Sequence, residues 1–180
     1  ETEVLVLNGS REGLFFAAIA AARYVEPRKG APAILMPNPF YPAYAAGARA
    51  AGCEAVFLPT VRDNGFLPDL DSLSSETLER TVAFYLASPA NPQGAVASRA
   101  YFDRVKQLAD RYGFIVLSDE CYSEIYTQDA PGSMLASAGD DFANVVAFQS
   151  LSKRSNLPGM RVGFVAGDAK FLARFHELRN

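Results

Sequence analysis

Histidine is almost absent from this chain: His176 stands alone, on a helical stretch with the pattern of a surface. Such scarcity weighs against zinc centres built on several histidines and against nucleophiles that rely on a histidine base. Acid–base chemistry falls instead to Lys, Asp, Glu or Tyr, or to a cofactor. Cysteine is scarce too. Cys53 and Cys121 are too few for a disulfide framework and form no Cys-x-x-Cys pair, so they read as reduced thiols of a cytoplasmic protein. No apolar run reaches the roughly 20 residues of a bilayer span; Leu14–Ala22 falls short. A net charge of −3 offers no electrostatic case for nucleic acid or an anionic membrane as partner. Neither GxxxxGK[ST] nor GxGxxG occurs, which removes the main support for P-loop and dinucleotide readings.

What is present is an ordinary soluble composition, 49% apolar and 21% charged over 180 residues, enough for one domain with a sizeable core. Glu1 opens the chain without a start methionine or a basic-then-apolar export segment, and Asn180 follows a helical pattern. Both ends read as cut points, so residues 1–180 are expected to be one domain of something longer.

Apolar periodicity alternates between short strand-like runs and longer helical ones. Strands are expected at Ala33–Met36 (ended by Pro37), Glu54–Leu58, Val82–Ala87, Phe114–Leu117, Val145–Phe148 and Val162–Ala166. Helices are expected at Arg11–Val25, Tyr44–Ala51, Leu70–Leu78, Arg99–Tyr112 and Ala169–Leu178. This rhythm argues for an α/β fold, a sandwich around a mostly parallel sheet. Ligands of open α/β sheets bind at the carboxyl ends of the strands, so the residues just after each apolar run carry the interest.

Phe114-Ile-Val-Leu-Ser-Asp-Glu-Cys-Tyr122 runs an apolar strand into Asp119 and Glu120. Asp119 is either a solvated acid or the partner of a buried cation such as a protonated ring nitrogen. Val145-Val-Ala-Phe-Gln-Ser-Leu-Ser-Lys153 delivers a lysine to a polar loop between two strands. There Lys153 is either a surface residue or a Schiff-base nucleophile, helped by a cationic neighbour such as Arg154. Val4-Leu-Val-Leu-Asn-Gly-Ser-Arg11 leads from a strand into a helix whose first N–H groups favour an anion; Ser10 as a plain N-cap is the competing reading. Arg161, placed at the opening of the next strand, could clamp a phosphate. Pro37-Asn-Pro-Phe-Tyr-Pro42 brings Phe40 and Tyr41 to a strand end, to fill core or to stack on a flat ring. In the turn Ser88-Pro-Ala-Asn-Pro-Gln-Gly94, Asn91 is the side chain suited to recognition.

Taken in this order, these segments resemble the fold-type I aminotransferases of the aspartate aminotransferase superfamily, class I/II. The resemblance covers nearly the whole chain. It implies a three-layer αβα sandwich with a mixed, mostly parallel sheet, and pyridoxal 5′-phosphate as cofactor. It implies that Lys153 anchors the cofactor covalently and then carries a proton, while Asp119 pairs with the pyridine nitrogen. Tyr122 and Asn91 would bond the phenolic oxygen, with Tyr41 stacked on the ring. Gly9, Ser10, Arg11, Ser150, Ser152 and Arg161 would form the phosphate cup. The stretch Gln149-Ser-Leu-Ser-Lys-Arg-Ser-Asn-Leu-Pro-Gly-Met-Arg-Val-Gly-Phe164 is most similar to the N-succinyldiaminopimelate branch, which serves bacterial lysine biosynthesis. Asn-Pro-Gln-Gly and Met160-Arg-Val depart from the usual Asn-Pro-Thr-Gly and Leu-Arg-Ser. The implied substrates are an amino acid donor, usually glutamate, and a keto acid, with a homodimer as the working form. A C-terminal small domain would supply the arginine that grips the substrate carboxylate. A lyase of the same fold and an effector domain of a transcription regulator are the alternatives.

Overall fold

The computed structural model describes residues 2–179. Its centre is one seven-stranded sheet: β1 Val4–Leu7, β2 Ala33–Asn38, β3 Glu54–Pro59, β4 Thr81–Ala87, β5 Ile115–Asp119, β6 Val145–Ser150 and β7 Gly163–Gly167. The strand order is β1-β7-β6-β5-β4-β2-β3. All neighbours pair in parallel except β7, which runs antiparallel to both β1 and β6. The helices are α1 Ser10–Tyr24, α2 Pro42–Ala50, α3 Ser75–Arg80, α4 Arg99–Tyr112, α5 Leu151–Arg154 and α6 Ala169–Arg179.

Strand periodicity sorts the core into two layers. Ala83 and Tyr85 of β4, with Ile115 and Leu117 of β5, face one side, where they meet Leu14, Ala17 and Ala21 of α1, Tyr44 and Ala48 of α2, and Phe171 and Phe175 of α6. Phe84, Leu86 and Val116 face the other side and pack on Phe102, Val105 and Ala109 of α4. The result is the three-layer αβα sandwich with a mixed sheet. Small side chains along α1 allow α2 to pack closely against it: a Cβ on Gly47 would stand 2.8 Å from the Phe15 carbonyl oxygen.

Three local expectations are corrected. Pro37 does not end β2, which continues to Asn38 beside β3. Pairing with β4 stops at Leu35, so the proline lies where one edge of the strand is free and its missing N–H is tolerated. The helix expected over Leu70–Leu78 is split into a 3-10 turn, Leu70–Ser72, and α3. Asp69 caps the first by accepting from the Asp71 N–H, and Ser74 restarts the chain by accepting from the Thr77 N–H at 3.1 Å. Lys153, expected in a loop, stands on the short α5.

Asp119 and Glu120 part company at the end of β5. Glu120 is 2% exposed and points into the protein, where its Oε1 accepts from Ser118 Oγ (3.0 Å), Ser133 Oγ (3.0 Å) and the Met134 N–H (2.9 Å). Its Oε2 accepts from Gln149 Nε2 at 3.4 Å. The carboxylate thereby ties the far end of the segment 121–133 back to the sheet. Burial raises its pKa above the ordinary 4.5, against the opposing pull of the Met134, Ser133 and Ser118 donors. A carboxyl whose folded-state pKa is raised contributes stability that is complete below its unfolded pKa and is lost as pH rises through the folded value. Wild type is therefore expected to lose stability relative to Glu120→Gln as pH climbs above about 4.5. Guanidinium unfolding curves of both proteins across that range check this, and parallel pH profiles would contradict it.

Candidate active site

The carboxyl ends of β2, β4, β5 and β6, with the turn entering α1, surround a cavity of about 740 Å³. Every residue predicted for the site lines it except Gly9: Ser10, Arg11, Tyr41, Asn91, Asp119, Tyr122, Ser150, Ser152, Lys153 and Arg161. Gly9 lies just behind. Of the lysines Lys29, Lys106, Lys153 and Lys170, Lys153 alone reaches this cavity.

One end of the cleft suits an anion. The N-cap of α1 is Gly9, with φ 81°, and no side chain caps the helix, so Ser10 is not the capping residue. The uncapped N–H groups of the first turn are thus left for another acceptor. Glu12, the acid of that turn, is held by Arg179 Nε at 2.9 Å and by the Asn8 N–H at 3.0 Å. Arg161 does not open β7 as expected; it precedes the strand in the left-handed region (φ 50°), which turns its guanidinium back over Gly9. A Cβ on Gly9 would stand 2.6 Å from Arg161 Nη2, so any side chain there would push the guanidinium off the helix start, and the positive φ itself favours glycine. Arg161 Nη1 donates to Ser152 Oγ at 3.4 Å and to the Pro158 carbonyl at 3.1 Å. Ser150 Oγ accepts from the Ser152 N–H at 3.2 Å.

The other end suits a flat ring with a basic nitrogen. Asp119 Oδ2 accepts from Tyr44 OH at 2.6 Å, and Oδ1 accepts from the Cys121 N–H at 3.3 Å. Asn91 Nδ2 donates to Tyr122 OH at 3.3 Å. Lys153 Nζ stands 5.8 Å from the Tyr122 ring centre, and the Arg11 guanidinium 5.8 Å from that of Tyr41. Burial first, then the charge of Asp119, raises the Tyr122 pKa, keeping the phenol protonated near neutrality. Burial likewise pushes the Cys121 thiol far up, and its Sγ lies 3.1 Å from Ser10 Oγ, so it serves as a neutral filler. The cationic neighbour expected for Lys153 is engaged elsewhere: Arg154 Nη2 pairs with Glu124 Oε1 at 3.1 Å.

An uncapped helix start with an arginine folded over a glycine, together with an aromatic, a carboxylate and a lysine lining the same cleft, fit pyridoxal phosphate. Among the described residues, no cluster of three or more His, Cys, Asp or Glu side chains could hold a metal ion. No described helix is long and apolar enough to cross a membrane.

Tyr44 is the cleft residue that strand ends do not reveal, because it lies on a helix and reads as core. The signal for it is its hydroxyl: a buried tyrosine needs a hydrogen-bond partner.

Fold and cleft thus define an α/β domain built around a phosphorylated ring cofactor. The chain belongs to the aminotransferase class I and II family, whose model matches residues 1–180; that family is dependent on pyridoxal phosphate. It is 39% identical over 180 residues to an LL-diaminopimelate aminotransferase of Syntrophobacter fumaroxidans, covering 99% of this chain and 45% of that protein. The solved structure of the aminotransferase AspB from Helicobacter pylori superposes with a TM-score of 0.89 at 36% identity, over 99% of this chain and 47% of that one. A probable N-succinyldiaminopimelate aminotransferase from Thermus thermophilus gives 0.86 at 30% identity, over 98% and 46%. The chain spans about half the length of the curated relatives it matches.

Gly9→Ala is expected to weaken pyridoxal phosphate binding by about tenfold, since the new methyl pushes Arg161 aside and the extended, positive-φ backbone at Gly9 disfavours alanine by about 1–3 kcal/mol. Titration of the cofactor into the apo-protein measures it; unchanged affinity would contradict the cradle.

Proposed function

We propose that the protein carrying this chain is a pyridoxal phosphate-dependent aminotransferase that moves an amino group between an amino acid donor, glutamate, and a keto acid. The observation that carries this reading is that Lys153 and Asp119 line one cleft together with an arginine-lined helix start. When bound, the cofactor supplies an electron sink that makes the substrate Cα–H acidic. Arg161, Ser10, Ser150, Ser152 and the backbone at Gly9–Arg11 would hold its phosphate. Asp119 would keep the ring nitrogen protonated, and Tyr41 would cover a ring face. Tyr122 and Asn91 would meet the phenolic oxygen. Lys153 would form the covalent link through its ε-amine and afterwards carry the proton taken from the substrate Cα.

The substrate is proposed to have a diaminopimelate skeleton, free or N-succinylated, on a route to lysine. Support comes from the names of the Syntrophobacter and Thermus relatives. A homodimer is the proposed working form. The cleft mouth supports it: Lys153 and Arg161 are exposed there, and apolar Leu157 and Met160 stand uncovered beside them. Residues 1–180 are proposed to be the cofactor domain, and the arginine for the substrate carboxylate is proposed to come from a segment beyond them. Cys53 and Cys121, both buried and free, suit a reducing compartment such as the cytoplasm.

In the intact protein, added pyridoxal phosphate is expected to give the visible absorption band of a lysine-bound cofactor, and Lys153→Ala to lose it. An unchanged band in that variant would sink the assignment. Offering 2-oxoglutarate with LL-diaminopimelate and with its N-succinyl derivative then tests the substrate, and turnover of neither would refute the diaminopimelate reading.

A further inference from the structure

Tyr44 holds the acid of the cleft from behind. It sits on α2, is 1% exposed, and stacks face to face on Tyr85 with ring centres 4.2 Å apart and 9° between planes. Tyr85 OH in turn donates to the Leu14 carbonyl of α1 at 2.5 Å. Tyr41 meets Tyr44 edge to face at 5.8 Å and 77°. One buried aromatic pair therefore joins the acid that ends β5, the aromatic that enters α2, and the helix that starts at the phosphate end.

We propose that Tyr44 is a positioning residue: its hydroxyl fixes the Asp119 carboxylate so that the lone pairs left free face the cofactor ring. The inference rests on the reading of the cleft as a pyridoxal phosphate site. Each Asp119 oxygen already has one protein donor, Tyr44 OH at 2.6 Å and the Cys121 N–H at 3.3 Å. A carboxylate held at both oxygens cannot turn about its side-chain bonds. A carboxylate held at Oδ1 alone can, and must be ordered again whenever the ring binds. Burial, with the neighbouring Asp119 charge, raises the Tyr44 pKa well above its ordinary value. The phenol is thus a donor at any working pH.

Equilibrium titration of pyridoxal phosphate into the intact apo-protein tests this on wild type, Tyr44→Phe, Tyr85→Phe, Asp119→Ala and the Tyr44→Phe/Asp119→Ala double variant. Phenylalanine keeps both rings and their stack, and circular dichroism verifies the fold. Tyr44→Phe is expected to weaken binding roughly three- to tenfold, the worth of re-ordering one side chain. Tyr85→Phe, which deletes the adjacent buried hydroxyl, is expected to lower thermal stability while leaving affinity within about twofold. On the Asp119→Ala background, Tyr44→Phe is expected to add nothing. Full affinity in Tyr44→Phe, an equal loss in Tyr85→Phe, or an equal further loss on Asp119→Ala would overturn the proposal. Absence of binding by wild type would instead overturn the cofactor reading, and this inference with it.

Discussion

Gly163 opens β7 with its α-carbon wedged between β6 and the turn that enters α1. A Cβ there would stand 2.6 Å from the Gln149 carbonyl oxygen, closer than a side chain allows, and a tight 3.1 Å from the Ser10 nitrogen. Three backbone segments meet at this point, and each brings part of the cleft. The turn after β1 brings Gly9, Ser10 and Arg11; the end of β6 brings Ser150, Ser152 and Lys153; the approach to β7 brings Arg161. Because β7 runs antiparallel to β6, the chain must double back after Lys153, and this return places Arg161 beside Gly9. Residues far apart in sequence become one end of the cleft, suited to an anion.

The sheet also assigns opposite duties to adjacent acids. At the end of β5 Asp119 turns to the cleft, while Glu120, the next residue, turns to the loop that follows. Asp119 keeps room for a ligand. Glu120 is enclosed by four protein donors and anchors the segment that carries Tyr122 and Cys121. A rigid acid at a strand end and a tethered loop beside it are what a preorganised site requires.

Much of this was legible in the sequence. Arg99–Tyr112 has a helical stripe closed by Gly113, and the helix has those bounds. Lys153 and Asp119 were legible as cleft candidates because small and polar residues follow apolar strands at the sheet's carboxyl edge, and Arg161 because it stands just ahead of the next strand. Gly9 was legible as a turn, but its role as the floor under Arg161 depends on a left-handed arginine that no local pattern announces. Tyr44 was hidden for a different reason. Its helical neighbours are apolar, and only the packing of α2 on β4 and β5 decides that its hydroxyl finds Asp119. Pro37 and Ser74 misled because their effects depend on which strand edge is paired and which side chain caps.

The central claim is that Lys153 is the covalent anchor of the cofactor. Borohydride reduction of the intact protein in the presence of pyridoxal phosphate, followed by peptide mass mapping, tests it most directly. The pyridoxyl adduct is predicted on the peptide containing Lys153. An adduct on Lys29, Lys106 or Lys170 instead, or none at all, would contradict the account.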